Sequence, residues 1–177
     1  MEANISIYGR GERSENTTNS VKWNMAGTRL VAGGRDNIIR LYDAEGTVRS
    51  LQEFKGHTGS IATLSFDSPE SEHMFASTSK DRSFRVWDTR KPKQPVHVER
   101  TKEELIRGIF SPGQAVCGDN LFATCNIDEE IKFYDTRMWR TVKQIKCKQE
   151  VESFLWDRSG AAFFVTDAQG NISVYNG

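Results

Sequence analysis

Apolar side chains along the 177-residue chain recur with a spacing of two rather than 3.6. Ile38, Arg40 and Tyr42 alternate with Ile39 and Leu41, and Phe84 and Val86 alternate with Arg85 and Trp87. Successive side chains of a strand point to opposite faces of its sheet, so this alternation predicts strands. No stretch carries a sustained helical stripe. Turn signals divide the apolar segments at Ala26-Gly27-Thr28, Gly34-Arg35-Asp36-Asn37, Gly56-His57-Thr58-Gly59, Ser111-Pro112-Gly113 and Arg158-Ser159-Gly160, as expected for an all-β chain of short strands.

One unit recurs four times. Leu41-Tyr42-Asp43, Val86-Trp87-Asp88, Phe133-Tyr134-Asp135 and Val174-Tyr175-Asn176 each close a unit, at intervals of 41 to 47 residues. Seven residues before the first three closing residues stand Asp36, Asp81 and Asp128, and Gln169 takes that place in the fourth. Each unit opens with an apolar strand ending in an aromatic: Trp23, Phe66, Phe110 and Trp156. In the second unit strand a is expected at about 60–66, b at 73–78, c at 83–88 and d near 95–99. A small sheet of this kind cannot bury both faces alone, so the units are expected to stack radially.

From Gly56-His57 through Phe75-Ala76-Ser77-Thr78-Ser79 and Asp81 to Val86-Trp87-Asp88, the second unit resembles the WD40 repeat family. The resemblance implies an all-β propeller of about four blades of four antiparallel strands, part of a seven-bladed ring. The blades fall at about 20–54, 55–99, 100–147 and 148–177, after an N-terminal segment, 1–19, in which Asn4 to Tyr8 alternates like a closing strand. The last blade ends after strand c. An incomplete ring leaves sheet faces open on blades one and four, which predicts aggregation, dimerisation or a completing partner. A closed ring of four blades is the other reading. The family's structural hydrogen-bond chain carries over to His57, Ser77, Asp81 and Trp87, with Ser79 as the alternate hydroxyl. Asp36 and Asp128 are the turn acids of blades one and three. The other blades depart from the pattern: Thr18, Glu103 and Gln149 stand near the place of His57.

Composition narrows the function. The 24 Lys and Arg balance 24 Asp and Glu, which argues against binding nucleic acid through bulk charge. No apolar run approaches the length of a membrane span and no secretory signal is visible, so no membrane role is expected. Cys117, Cys125 and Cys147 fit neither a disulfide framework nor a zinc site and read as free thiols. The three histidines, His57, His73 and His97, lack ligand spacing; no metal site, cofactor or small-molecule substrate is expected. His57, Asp81 and Ser77 invite comparison with a catalytic relay, but the recurrence of the turn Asp favours a fold-holding network, and the chain reads as a non-enzyme.

Recognition is then expected on loops held by the scaffold. In the resembled family one rim is built just before strand a and at the b–c turns, which selects Arg35, Ser60, Lys80, Glu104 and Glu150 as candidate partner contacts. Their mixed signs favour protein subunits over nucleic acid. Thr136 to Gln149 carries Arg137, Arg140, Lys143, Lys146 and Lys148 without an acid; it reads as a guarded edge strand with Trp139 covering the blade corner, the alternative being a phosphate track with Trp139 as a stacking platform. Asp88-Thr89-Arg90 recurs as Asp135-Thr136-Arg137 and resembles the box by which WD40 substrate receptors dock on cullin-RING ligase adaptors, which makes Arg90 and Arg137 alternative docking residues. The insertion Asp67 to Glu72, the opening Thr101-Lys102-Glu103 and the segments Glu150 to Trp156 and Phe163 to Thr166 are similar to the WD40 subunits of THO-type messenger-RNA export complexes. The insertion Gln114 to Asn120 departs from them. That resemblance implies a nuclear scaffold in a multi-protein complex, with RNA contacted indirectly; a generic WD40 adaptor is the remaining reading.

Overall fold

The computed structural model describes residues 17–43, 49–66, 72–112 and 120–176; Asn4 to Tyr8, Cys117 and most of the two insertions lie outside them. Fifteen strands in this part form four antiparallel sheets, each in chain order. Blade one comprises β1 (Thr18–Trp23), β2 (Arg29–Gly34), β3 (Ile39–Asp43) and β4 (Arg49–Phe54); blade two β5 (Ile61–Phe66), β6 (Met74–Ser79), β7 (Ser83–Asp88) and β8 (His97–Arg100). Blade three comprises β9 (Leu105–Phe110), β10 (Leu121–Asn126), β11 (Glu130–Asp135) and β12 (Arg140–Lys146), and blade four only β13 (Val151–Trp156), β14 (Ala162–Asp167) and β15 (Ile172–Asn176). The described residues are all-β, a row of four antiparallel sheets as the repeat predicts. Strand d of blade two opens at His97, later than the alternation suggests, because Pro95 offers no backbone donor.

The register explains how the blades stack. On one face of each sheet, three large side chains line up across strands a, b and c: Trp23, Leu30 and Tyr42; Phe66, Phe75 and Trp87; Phe110, Phe122 and Tyr134; Trp156, Phe163 and Tyr175. This trailing face meets the preceding blade. The leading face carries smaller pairs on b and c: Val31 and Leu41, Ala76 and Val86, Ala123 and Phe133, Phe164 and Val174. Each junction sets a triplet on the pair before it. Val31, Leu41 and Phe54 pack on Phe75 and Trp87, Ala76 and Val86 on Phe110, Phe122 and Tyr134, and Ala123 and Phe133 on Phe154 and Phe163. Phe54 meets Phe75 and Trp87 edge-on at 5.0 and 5.6 Å between ring centres. Burying such a side chain contributes about 1.5–3 kcal/mol, so the junctions hold most of the core.

A polar contact repeats at the inner strands. Leu64 N–H donates to Ser20 Oγ at 3.0 Å, and Gly108 N–H, at the equivalent position one blade on, donates to Thr63 Oγ1 at 2.8 Å. Gly108 is glycine for want of space: a Cβ there would lie 2.4 Å from Thr78 Cγ2 and 2.7 Å from Phe122 Cζ. Blade four does not pack back on blade one. Trp23 on the trailing face of the first is 51% exposed, and Leu155, Ile172 and Val174 on the leading face of the fourth are 52%, 67% and 54% exposed. The described residues form an open row of blades rather than a closed ring of four.

Candidate functional site

The b–c turn of every blade holds one residue at positive φ: Asn37, Arg82, Glu129 and Gly170. A side-chain oxygen that accepts the N–H just beyond favours this turn. In blades one and two the turn acid does so, Asp36 Oδ1 to Ile38 N at 3.3 Å and Asp81 Oδ1 to Ser83 N at 3.0 Å. Blade three hands the task to Asn126, whose Oδ1 takes the N–H groups of Asp128 and Glu130, while the Asp128 carbonyl receives Lys146. Blade four uses Asp167 with Gln169 N and Asn171 N.

In blade two the turn is also wired into the interior. Trp87 Nε1–H donates to Ser77 Oγ at 2.8 Å, Ser77 Oγ lies 2.7 Å from His57 Nε2, and His57 Nδ1 lies 2.8 Å from Asp81 Oδ2. A neutral imidazole with its proton on Nδ1 lets every group in this chain donate once, ending on the carboxylate. A cationic ring would put two donors on Ser77 Oγ and leave the hydroxyl proton to find another acceptor. The charges agree: burial pushes the His57 pKa down against the pull of Asp81, while His57 and Ser83 hold Asp81 well below the usual carboxylate range despite its own burial. Ser83 Oγ–H and Thr58 N–H complete the Asp81 shell at 2.6 and 3.0 Å. Ser79 turns elsewhere, donating to Gly59 O and accepting Asp81 N–H.

The same three groups in a cleft would suggest acyl transfer. Here Ser77 is 1% exposed and its oxygen is already bound to the indole, so no carbonyl carbon reaches it. The remaining blades replace the pair: Asp36 binds Arg40 at 2.6 Å, and in blade four Gln169, in the place of the turn acid, bonds Gln149 at 3.2 Å, while Cys147, three residues before Glu150 as His57 is before Ser60, stands in the place of the histidine rather than Gln149, which the sequence set near it. Cys125 and Cys147 are free thiols in the junction of blades three and four, and burial pushes Cys125 up to about 12.

One backbone bond closes the rim of each blade: Arg35 N to Thr17 O, Lys80 N to Ser60 O, Ile127 N to Glu104 O and Ala168 N to Glu150 O, at 2.9 to 3.1 Å. Arg35, Ser60, Lys80, Glu104 and Glu150 therefore occupy equivalent rim positions. Arg35 and Lys80 make the rim basic on blades one and two, and Glu104 and Glu150 make it acidic on three and four. Ile127, 51% exposed at the position of Lys80, adds an apolar side chain to this rim that the sequence reading missed; its only signal is that it follows strand b directly, as Lys80 does. At the far ends of the c strands, Arg90 and Arg137 each clasp the Asp two residues back through Nε and Nη2 at 2.6 to 3.0 Å, and hold Asp88 and Asp135 down at about 2. Trp139 stacks on His97 at 4.7 Å and 11° and packs against Phe84. It covers the corner between blades two and three, with one face of the indole taken up by His97.

A family model of the WD domain, G-beta repeat, matches residues 10–43 and 48–88. The chain is 32% identical to THO complex subunit 3 of Arabidopsis thaliana over 88% of its own length and 48% of that protein. It is 26% identical to WD repeat-containing protein AAC3 of Dictyostelium discoideum over 93% of this chain and 37% of that one. With the U3 small nucleolar RNA-associated protein 15 homolog of Xenopus tropicalis it shares 30% identity over 76% of this chain and 25% of that protein. The chain thus spans half the length, or less, of these relatives.

Proposed function

The chain carries repeats of the WD40 family, and on that premise we propose that it is a non-catalytic scaffold of a nuclear, THO-type complex that couples transcription to messenger-RNA export. The observation that carries the scaffold reading is the enclosed relay of blade two: among the described residues this reactive-looking constellation is spent on holding the sheet, and recognition falls to the rims. The likeness to THO complex subunit 3 across most of the chain supports the assignment to that complex. The likeness to U3-associated proteins supports a nuclear location on its own. His57, Ser77, Asp81 and Trp87 are the structural network, with Asp36 supporting the turn of blade one and Asp128 the edge of blade three. The rim formed by Arg35, Ser60, Lys80, Glu104 and Glu150 is the protein-binding surface. Its basic and acidic halves suit a partner segment of opposite polarity, which steers association more than it adds affinity. RNA is reached through the partner subunits.

The test is affinity purification of the tagged chain from nuclear extract treated with nuclease, followed by mass spectrometry. Recovery of THO subunits, their loss with Arg35→Glu plus Lys80→Glu, and their retention with Arg90→Ala plus Arg137→Ala are the expected results. Recovery of a cullin-ligase adaptor that depends on Arg90 and Arg137, with THO subunits absent, would overturn the proposal in favour of a ligase receptor.

A further inference from the structure

The outer strand of blade three differs from those of blades one and two. β12 runs for 7 residues at the edge of its sheet, and every side chain but Ile145 is exposed. β8 is short and follows Pro95, and β4 is balanced in charge, its Glu53 held by Arg40 and Lys55 at 3.4 and 2.8 Å. β12 and the residues after it carry Arg140, Lys143, Lys146 and Lys148, and no acid before Glu150. The acids of the neighbouring strand are already taken, Glu130 by Lys132 and Gln144, and Asp135 by Arg137. Among the described residues no acid pairs with Arg140, Lys143 or Lys148. Met138 and Val142, 58% and 56% exposed, add apolar surface along the same stretch. The backbone is presented as well. Cys147 N–H donates to Glu129 O at 2.9 Å and the register runs unbroken from Lys146 to Lys143, so Cys147, Ile145 and Lys143 turn their backbone groups toward β11 while Gln144 and Lys146 turn theirs outward. Among the described residues no strand pairs with that outer side.

We propose that this edge takes an extended acidic segment of a protein partner, which pairs with β12 as a further strand of blade three and sets its carboxylates beside Arg140 and Lys143. Lysines on an edge discourage pairing with a strand of like charge, a second β12 included. The same charges attract an acidic strand, so the guard is selective. A peptide fits this edge better than a nucleic acid does. The outward amide and carbonyl groups of Gln144 and Lys146 match the main chain of a strand, whereas the nearby aromatic on which a base would stack, Trp139, already has one face on His97. Arg35 and Lys80 lie on blades one and two, so the edge and that part of the rim are tested independently.

Fluorescence anisotropy on the 177-residue chain reads the outcome, with a fluorescein-labelled decapeptide of alternating Glu and Val as the probe. Saturable binding is expected, weakened roughly tenfold by Arg140→Glu plus Lys143→Glu and by Gln144→Pro, and unchanged by Arg35→Glu plus Lys80→Glu. Proline at Gln144 keeps the ladder to β11, because the N–H it removes points outward, and circular dichroism confirms that the variants fold. The same peptide with alternate backbone amides N-methylated keeps its charge but cannot pair, and should bind roughly tenfold less tightly. No binding to the wild-type chain, equal binding of the methylated peptide, or binding indifferent to the edge variants would each overturn the proposal. So would an oligouridylate whose binding falls with Arg140→Glu plus Lys143→Glu while that of the peptide does not, which would make the edge a phosphate track.

Discussion

Ser77→Ala is the most direct probe of the relay. Ser77 Oγ is the only partner found for both Trp87 Nε1 and His57 Nε2, and all three residues are buried. A buried polar group stripped of its partner costs about 1–3 kcal/mol, and two are stripped here, so the expected loss is roughly 2–6 kcal/mol. In a domain of this size that lowers Tm by about 5–15 °C. Trp87→Phe supplies the control, because it removes the indole donor while keeping an aromatic ring against Phe54 and Phe75. In that background Ser77→Ala strands only the imidazole, and its cost falls by about 1–3 kcal/mol. Urea denaturation of the four proteins closes the double-mutant cycle. Equal costs in the two backgrounds, or a Ser77→Ala cost under about 0.5 kcal/mol, would refute the reasoning that the relay is one coupled unit.

Acid should destabilise the fold in two stages. The native His57 pKa lies below its usual 6.5 and that of Asp81 below 3.8, so the unfolded chain binds the extra proton in each window. Stability is complete above about 6.5, declines toward the lowered His57 value, and declines again below about 3.8. His97, also lowered by burial, acts in the same direction as His57, and His57→Gln should shrink the first stage; a Tm unchanged from pH 7 to 5 would sink this account. Gly108→Ala should cost about 1–3 kcal/mol by forcing a methyl into the second junction, read by chemical denaturation; a neutral result would mean that the junction yields more easily than its contacts imply. Trp139→Ala should lower Tm while leaving the anisotropy-measured affinity for single-stranded RNA unchanged, and a selective loss of RNA binding would return the indole to the role of a stacking platform.

The repeat was legible because it rests on local chemistry: alternation fixes which face each side chain takes, and Asp81 and Trp87 stand at intervals that the turn and strand c require. The sequence set His57, Ser77, Asp81 and Trp87 in one network with Ser79 as the alternate hydroxyl; in the structure Ser77 stands between His57 and the indole, while Ser79 bonds Gly59 and Asp81. Three features had no local signal. Gly108 looks like a weak point in a strand until Thr78 and Phe122 from other strands crowd it. The Gln149 and Gln169 contact joins two unremarkable amides, of which only Gln169 stands at a relay position, that of Asp81. The stack of Trp139 on His97 is the third: the sequence set the indole at the blade corner but gave no sign of the ring from another sheet that it meets.

The enclosed relay of blade two also sets a gradient of rigidity along the chain. In a stacked array each unit is stabilised by its own sheet and its immediate neighbours. Among the described residues blade two has both neighbours, four strands and the relay; blade four has one neighbour, three strands and an exposed Gln149–Gln169 contact. Local opening therefore begins at the C-terminal blade and advances inward, and amide exchange slows from β15 toward β6 and β7. Lys80 rides on the stiffest element and Glu150 on the softest. On the proposed rim surface a binding segment would meet a preformed anchor at its acidic end and a surface still to be ordered at its basic end, so capture and tightening would be separable steps, the second drawing on the conformational entropy of blade four.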